Sequence, residues 1–517
     1  MPTPAGIEET RELVAAGLAE GLQIVPQRSR VTPEPGASTL PPVRRPPTAF
    51  LLVALGAAGA LTVAAAARNA GPGHPVSWAT YGGGLTSANV IPTRGLTVAA
   101  ARTMHVSWAR KLDGTVFGGP LIGTSRHGRR VVVGTEAGTL YALDPRSGGV
   151  AWSRRITRPV ATCGGEYGIT SMPAIDEKAG LVYAIGASGY LTAVDFATGV
   201  VRWRLRLVIQ THVEYVWSAV RLVGGYAYVA VASYCDQGDK GGLPDGYLLR
   251  VDLAKRKVVA RFDVVPGPHN LGGIWGWGGV SVDARTGALF TSTGNSIVTK
   301  SGNLTEDAGH AERVLQLTPA LKVVDSTPPP LIAPENRGDE DFGATPLLFD
   351  PAGCPALVAA NSKNGHTYVW RRGKLSRGPL WDAPIGPTNP DDPFLGQPTY
   401  VPSLRLLVVA QTVFGNPASP SRGLSAFSID PGCTRFTPRW NLNIGGGPQP
   451  PPIAVGQVVI AAAPATHQLM LVDARNGTIL AEFDTHEPVY APPASDGSSV
   501  YTATIGGIVE ATTPAAQ

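Results

Sequence analysis

The sequence predicts an all-β protein: one eight-bladed β-propeller of four-stranded antiparallel blades, preceded by a single transmembrane helix. Three observations carry this expectation. A strand–turn–strand unit recurs at a fixed offset of 51 residues. The 63 Gly and 47 Pro among 517 residues leave little room for long uninterrupted helices. One stretch of twenty residues, Thr48 to Ala67, carries no charge.

Composition sets the outer limits. With 43% hydrophobic residues, ten Trp and 16% charged residues, the chain can fill a large core, so a disordered polar chain is excluded. No three-residue Gly period is present, which excludes collagen. The formal charge of +5 is modest, and the basic residues stand singly rather than in runs, so nucleic acid is not the implied partner.

Thr48 to Ala67 reads TAFLLVALGAAGALTVAAAA. A helix of that length spans ~30 Å, the hydrocarbon thickness of a bilayer. Arg44 and Arg45 precede it and Arg68 alone follows closely, so the positive-inside bias puts the N-terminal tail in the cytoplasm. A cleaved signal peptide fits less well, because the apolar stretch begins late and is long. The expected organisation is a largely disordered cytoplasmic tail over 1–47, a membrane anchor over 48–67, a linker leading into the ring over 68–104, and an extracytoplasmic propeller over 105–517. Four cysteines follow the anchor, at 163, 235, 354 and 433. An even number outside the cytoplasm favours disulfides, with three pairings open, and their spacings contain no zinc-ligand pair.

The repeat is clearest in its first two copies. Asp144 and Asp195, Gly138 and Gly189, Gly148 and Gly199, and Trp152 and Trp203 are each 51 residues apart. Leu-Tyr-Ala-Leu-Asp alternates as a half-buried strand does. Asp starts a turn by accepting local N–H bonds, and the Gly four residues later supplies a positive φ. Degenerate copies run on to residue 477. The last half-unit, from Val500 to Ile508-Val-Glu-Ala-Thr, lacks its Trp strand, and Val106-Ser-Trp108-Ala-Arg is a Trp strand without a predecessor. Joined, they would close a ring without leaving a sheet edge. Seven whole units and this shared one make eight, at ~50 residues each.

The unit Gly-x-x-Gly-x-Leu-Tyr-Ala-Leu-Asp-x-x-x-Gly-x-x-x-Trp resembles the tryptophan-docking repeat of the pyrroloquinoline quinone (PQQ) propeller superfamily. That superfamily holds eight-bladed quinoprotein alcohol dehydrogenases and also non-catalytic scaffolds of outer-membrane assembly. The resemblance covers most of residues 75–517 and implies the fold more firmly than the chemistry.

Three segments carry candidate chemistry. In Trp275-Gly-Trp277, an indole near the ring axis could stack on a flat quinone. Trp277, Asp283 and Asn295 keep a Trp-x5-Asp-x11-Asn spacing similar to the dehydrogenases, where the Trp stacks on PQQ and the Asn ligates Ca2+, a cation that prefers oxygen donors. Ordinary docking Trp and turn residues would read the same way. Asp341, in Asp-Glu-Asp-Phe-Gly before a small-residue strand, matches the dehydrogenases' catalytic base; the alternative is a solvated acidic loop. Lys363-Asn364-Gly365 resembles the family's Lys-Asn-Gly, whose Lys stabilises charge on the reduced quinone; Asn-Gly is equally a hairpin turn.

The chain also departs from that pattern. It has no adjacent cysteine pair and no CxxCH haem site, and only Asp236 stands where the family has a Glu metal ligand. No Gly-x-Ser-x-Gly, HExxH or phosphate loop occurs. Two functions follow. One is a membrane-anchored PQQ-dependent oxidoreductase of an alcohol or sugar, with Asp341 as base, Trp275, Trp277 and Lys363 around the cofactor, and Asn295 and Asp236 on Ca2+. The other is a non-catalytic propeller scaffold that binds a protein or cell-envelope component.

Overall fold

The computed structural model describes residues 76–92, 95–162, 165–234, 243–268, 270–296, 308–329, 341–385, 396–410, 423–445 and 450–515. The expected tail and anchor, Cys163, Cys235 and Asp236 lie outside these residues. No helix among the described residues is long and apolar enough to cross a membrane.

Alternating strands punctuated by Asp and Gly turns fold as the repeat predicts. Blades 1 to 7 span residues 121–155, 174–206, 221–263, 281–327, 347–384, 399–443 and 453–484. Each meanders outward from an inner to an outer strand through antiparallel pairs. Blade 8 takes three strands from residues 494–514 and its outer strand, Met104–Lys111, from the other end of the chain. The two orphan halves in the sequence therefore complete one sheet, and the ring has no open edge between its ends.

The repeated Trp and Gly explain each other. Trp108 Nε1 donates to Pro145 O, Trp152 Nε1 to Phe196 O and Trp440 Nε1 to Ala474 O, at 2.8–2.9 Å and in each case across to the next blade. Each indole lies on the turn glycine of that blade. A Cβ on Gly148, Gly199 or Gly477 would come within 2.5–2.9 Å of the ring, and all three have φ between +65° and +75°. The position thus excludes side chains twice, by backbone conformation and by contact. Blade 3 uses a variant: Arg256, with φ +53°, places its guanidinium 5.7 Å from the Trp203 ring. Cys354 and Cys433 form a disulfide between blades 5 and 6.

Part of the expected linker turns out to be structural. Residues 76–91 pass around the inner strands of all eight blades in ring order. Val76 N–H donates to Asp496 O in blade 8, and Trp78 exchanges backbone bonds with Ile122 in blade 1. Ala79 O, Leu85 O and Thr86 O then accept from Ile175, Val282 and Leu348 in blades 2, 4 and 5. Gln397, leading into blade 6, donates to Ser87 O, and Asn89 O accepts from Ala454 in blade 7 at 2.7 Å. Val90–Ile91 finally pairs in parallel with blade 7's inner strand. Inner strands have no blade on their axial side, and this thread supplies partners for backbone groups that burial would otherwise leave unpaired.

Blade 3 holds the thread through Arg221, whose side chain is fully buried. Its Nε donates to Val280 O, Nη1 to Tyr81 O, Gly84 O and Thr80 Oγ1, and Nη2 to Ser87 Oγ. Burial pushes its pKa down to about 10, so it remains charged at neutral pH and is solvated by the dipoles of the thread rather than by a carboxylate. Arg221→Met should lower the unfolding free energy by about 3–5 kcal/mol, because several carbonyls lose their donor in a site closed to water. An unchanged urea midpoint would show that the thread is held by something else.

Candidate active site

In a four-stranded meander, the loop entering the inner strand and the loop joining the second and third strands leave from the same end of the blade. That rule alone brings the sequence candidates to one face. Trp275 and Asp341 lie in the loops entering blades 4 and 5. Asn295 and Lys363 lie in the second-to-third-strand loops of those same blades.

Asp341 and Lys363 form an ion pair, Nζ to Oδ1 3.0 Å, with side chains 1% and 9% exposed. The backbone repeats the contact, Lys363 N–H donating to Asp341 O at 2.9 Å. Residues 363–365 are a hairpin turn: Gly365 has φ +84°, and its N–H donates to Ser362 O. The turn and the buried cation therefore coexist at one motif. Two charges shielded from water attract strongly enough to keep each other in place.

Trp275 joins the pair through a glycine. A Cβ on Gly294 would stand 2.8 Å from Trp275 Nε1 and 2.9 Å from Asp341 Oδ2. Indole and carboxylate thus converge on one backbone position that only Gly leaves clear. The loop is held by Gly294 N–H to Gly273 O at 2.7 Å, Gly272 N–H to Asn295 O at 2.8 Å, and Ser292 Oγ to Ala344 O at 2.6 Å. Asn295 follows directly and is half-buried.

Other members of the sequence pattern go elsewhere. Trp277 is 5% exposed and belongs to the large apolar core cluster with Ala219 and Met172. Its neighbour Gly278 closes on the thread, since a Cβ there would meet the Tyr81 ring at 2.5 Å. Asp283 serves a turn, accepting from Arg285 N–H and pairing with Arg372 at 3.1 Å.

Sequence reasoning missed the aromatic wall beside this group. Trp217 lies 6.2 Å from Trp275 between ring centroids and 5.5 Å from Tyr215, which stacks on Tyr234 at 4.4 Å, and Tyr167 packs on all three. Behind the wall, Glu136 accepts from Gly168 N–H and Thr170 Oγ1, while Tyr215 OH reaches Thr170 Oγ1 at 2.8 Å. Burial pushes the Glu136 carboxyl up to about 7, with its two hydrogen bonds opposing. A signal was present: aromatic residues stand in the loops entering blades 2, 3 and 4, at Tyr167, Tyr215, Trp217 and Trp275, outside the docking register.

Comparison with known proteins agrees on the architecture. A PQQ-type repeat family described as outer membrane protein assembly factor BamB matches residues 88–262. A polyvinylalcohol dehydrogenase from Pseudomonas sp. is 24% identical over 328 residues, covering 57% of this chain and 49% of the relative; the match thus spans about half of that protein's length. Among solved structures, the quinohemoprotein alcohol dehydrogenase of Comamonas testosteroni superposes with a TM-score of 0.66 at 16% identity, covering 86% of this chain and 81% of the other. A europium-containing methanol dehydrogenase gives 0.66 at 13%, covering 85% and 98%. BamB from Moraxella catarrhalis gives 0.52 at 13%, covering 79% and 99%. At these identities the structural likeness is one of fold.

Two outcomes test the geometry. Gly294→Ala should displace the Trp275 indole or the Asp341 carboxylate, changing the near-UV circular dichroism and costing about 1–3 kcal/mol. An unaltered spectrum and midpoint would mean that the space is open. Because its folded pKa is raised, Glu136 contributes stability that is complete below pH ~4.5, the unfolded value, and is lost as pH rises through about 7. The loss should approach ~3 kcal/mol. In Glu136→Gln the unfolding midpoint should be flatter over that window, and an equal slope would contradict the assignment.

Proposed function

We propose that this chain, which belongs to the PQQ-repeat eight-bladed propeller superfamily, is a quinoprotein-type oxidoreductase that removes hydrogen from an alcohol or sugar. The observation that carries the reading is the buried Asp341–Lys363 pair standing with Trp275 over Gly294. A flat quinone fits that donor set: an indole platform, a cation for its oxygens, and a carboxylate nearby. Bound there, PQQ would supply the two-electron acceptor that no side chain of this protein can provide.

The protein's own part follows from the site. Asp341 accepts the substrate hydroxyl proton at a carboxylate oxygen. Lys363 holds that carboxylate in place through the ion pair and offers its ammonium to negative charge that develops beside it. Trp275 orients a planar group, and Trp277 supports the floor from the core side. The aromatic wall excludes water, which strengthens each of these interactions. For Ca2+, the oxygen donors proposed are Asn295 and Asp236, the latter outside the described residues. Among the described residues no group of three or more His, Cys, Asp or Glu is clustered for a metal.

The uncharged stretch 48–67 supports a single-pass anchor with the propeller outside the membrane. The family match over 88–262 favours one second reading, a cofactor-free scaffold that binds an envelope protein.

Titration of the purified chain with PQQ and Ca2+ separates the two. Tryptophan fluorescence should be quenched at micromolar PQQ, and an artificial dye should be reduced with primary, secondary or polymeric alcohols. Asp341→Asn should retain quenching yet lose about 10²–10⁴ in kcat. Lys363→Met should weaken quenching itself. Absence of quenching in the wild-type protein would leave the scaffold.

A further inference from the structure

Charge is unevenly distributed around the ring. Residues 102–213, which form the outer strand of blade 8 and all of blades 1 and 2, contain 14 Lys or Arg against 7 Asp or Glu. Residues 214–517 contain 22 against 26. The excess gathers on three neighbouring outer strands, Met104–Lys111, Val150–Arg155 and Val201–Arg206, none of which contains an acidic residue. Lys111, Arg155, Arg158, Arg204 and Arg206 are all exposed on or just after them. Of the acidic side chains beside this arc, Asp195 is taken by Arg202 at 2.7 Å and Asp113 accepts from Thr135 and Thr139.

Exposed apolar side chains gather on the same arc. Among the described residues six large ones are exposed, and four of them, Val106, Val150, Val200 and Ile209, sit on or beside these strands. Ile209 is 73% exposed.

Outer strands need charge to block pairing with other sheets. That requirement does not select a sign, and the outer strands of blades 4, 5 and 7 meet it with Asp325, Asp382, Glu482 and Asp484. A run of one sign across three adjacent blades calls for a second cause. Single apolar side chains set among arginines suit the boundary between lipid headgroups and acyl chains, whereas a protein interface would gather its apolar residues at a centre.

We infer that the outer strands of blades 8, 1 and 2 form a docking surface for an anionic lipid bilayer, so that the ring stands edge-on to the membrane. The inference rests on the anchor reading for the nearness of the bilayer. Residues 68–75 separate the apolar stretch from Val76, and eight residues reach at most ~28 Å. Edge-on docking leaves the face that carries Asp341 and Lys363 open to solvent.

The test uses the full chain in nanodiscs of phosphatidylcholine alone or mixed with phosphatidylglycerol, read by hydrogen exchange. The three outer strands should exchange more slowly on the anionic discs, and high salt should remove the difference. Each basic residue near an anionic surface is worth about fivefold in affinity. The variant R155E/R158E/R204E, with an unchanged thermal midpoint, should therefore lose the protection; if the variant misfolds, the salt dependence of the wild type decides. Equal protection on both lipids, protection on other strands, or protection that survives charge reversal would overturn the surface. So would protection by soluble polyglutamate but not by anionic discs, which would assign the arc to an acidic protein. Carbonate extraction reads the anchor separately: a chain released by carbonate that still shows lipid-dependent protection would sink the anchor and keep the surface.

Discussion

A propeller must satisfy the backbone of its innermost strands, which face an axis with no further sheet. In this protein a single thread, residues 76–91, meets that need by visiting each blade in turn, with Arg221 donating from blade 3 into its turns. Much else depends on this arrangement. Tyr81 of the thread packs against the loop that carries Trp277 and Gly278, and its OH donates to Gln397 at the entrance to blade 6. The floor of the candidate site is therefore tied to all eight blades at once. A buried guanidinium solvated by carbonyls suits the role, because its planar fork fixes several chain segments in one geometry.

The second constraint acts at the periphery. Trp108, Trp152 and Trp440 each cover the left-handed Gly of the next blade's turn, and Trp203 meets Arg256 there, so these neighbouring blades are registered by contact as well as by hydrogen bonding. This periodic contact lets the outer surface diverge in charge without loss of the ring. The basic arc on blades 8, 1 and 2 and the acidic outer strands further round share one architecture.

At the site, geometry and electrostatics reinforce each other. Asp341 and Lys363 come from different loops of one blade and meet because those loops leave from the same end. Their burial makes the pair strong, with Asp341 1% and Lys363 9% exposed. Glu136 lies behind that wall with its carboxyl pushed up to about 7, which links packing of the wall to pH near neutrality.

Sequence alone determined the ring: a 51-residue repeat, the Asp and Gly of its turns, and two half-units that had to join. These features are local or strictly periodic, so they survive in one dimension. It also marked Trp277, Asn295, Asp341 and Lys363 through motif resemblance, with Trp275 as a second indole beside Trp277. Which of two indoles two residues apart stands against Asp341 was not legible, because it depends on how closely Gly273 and Gly294 approach Trp275. The thread was hidden for the same reason: residues 76–91 have no repeat and bond to residues up to about 420 positions away. Tertiary structure alone decided these points, since contacts made by backbone approach and buried charge leave no periodic trace in the chain.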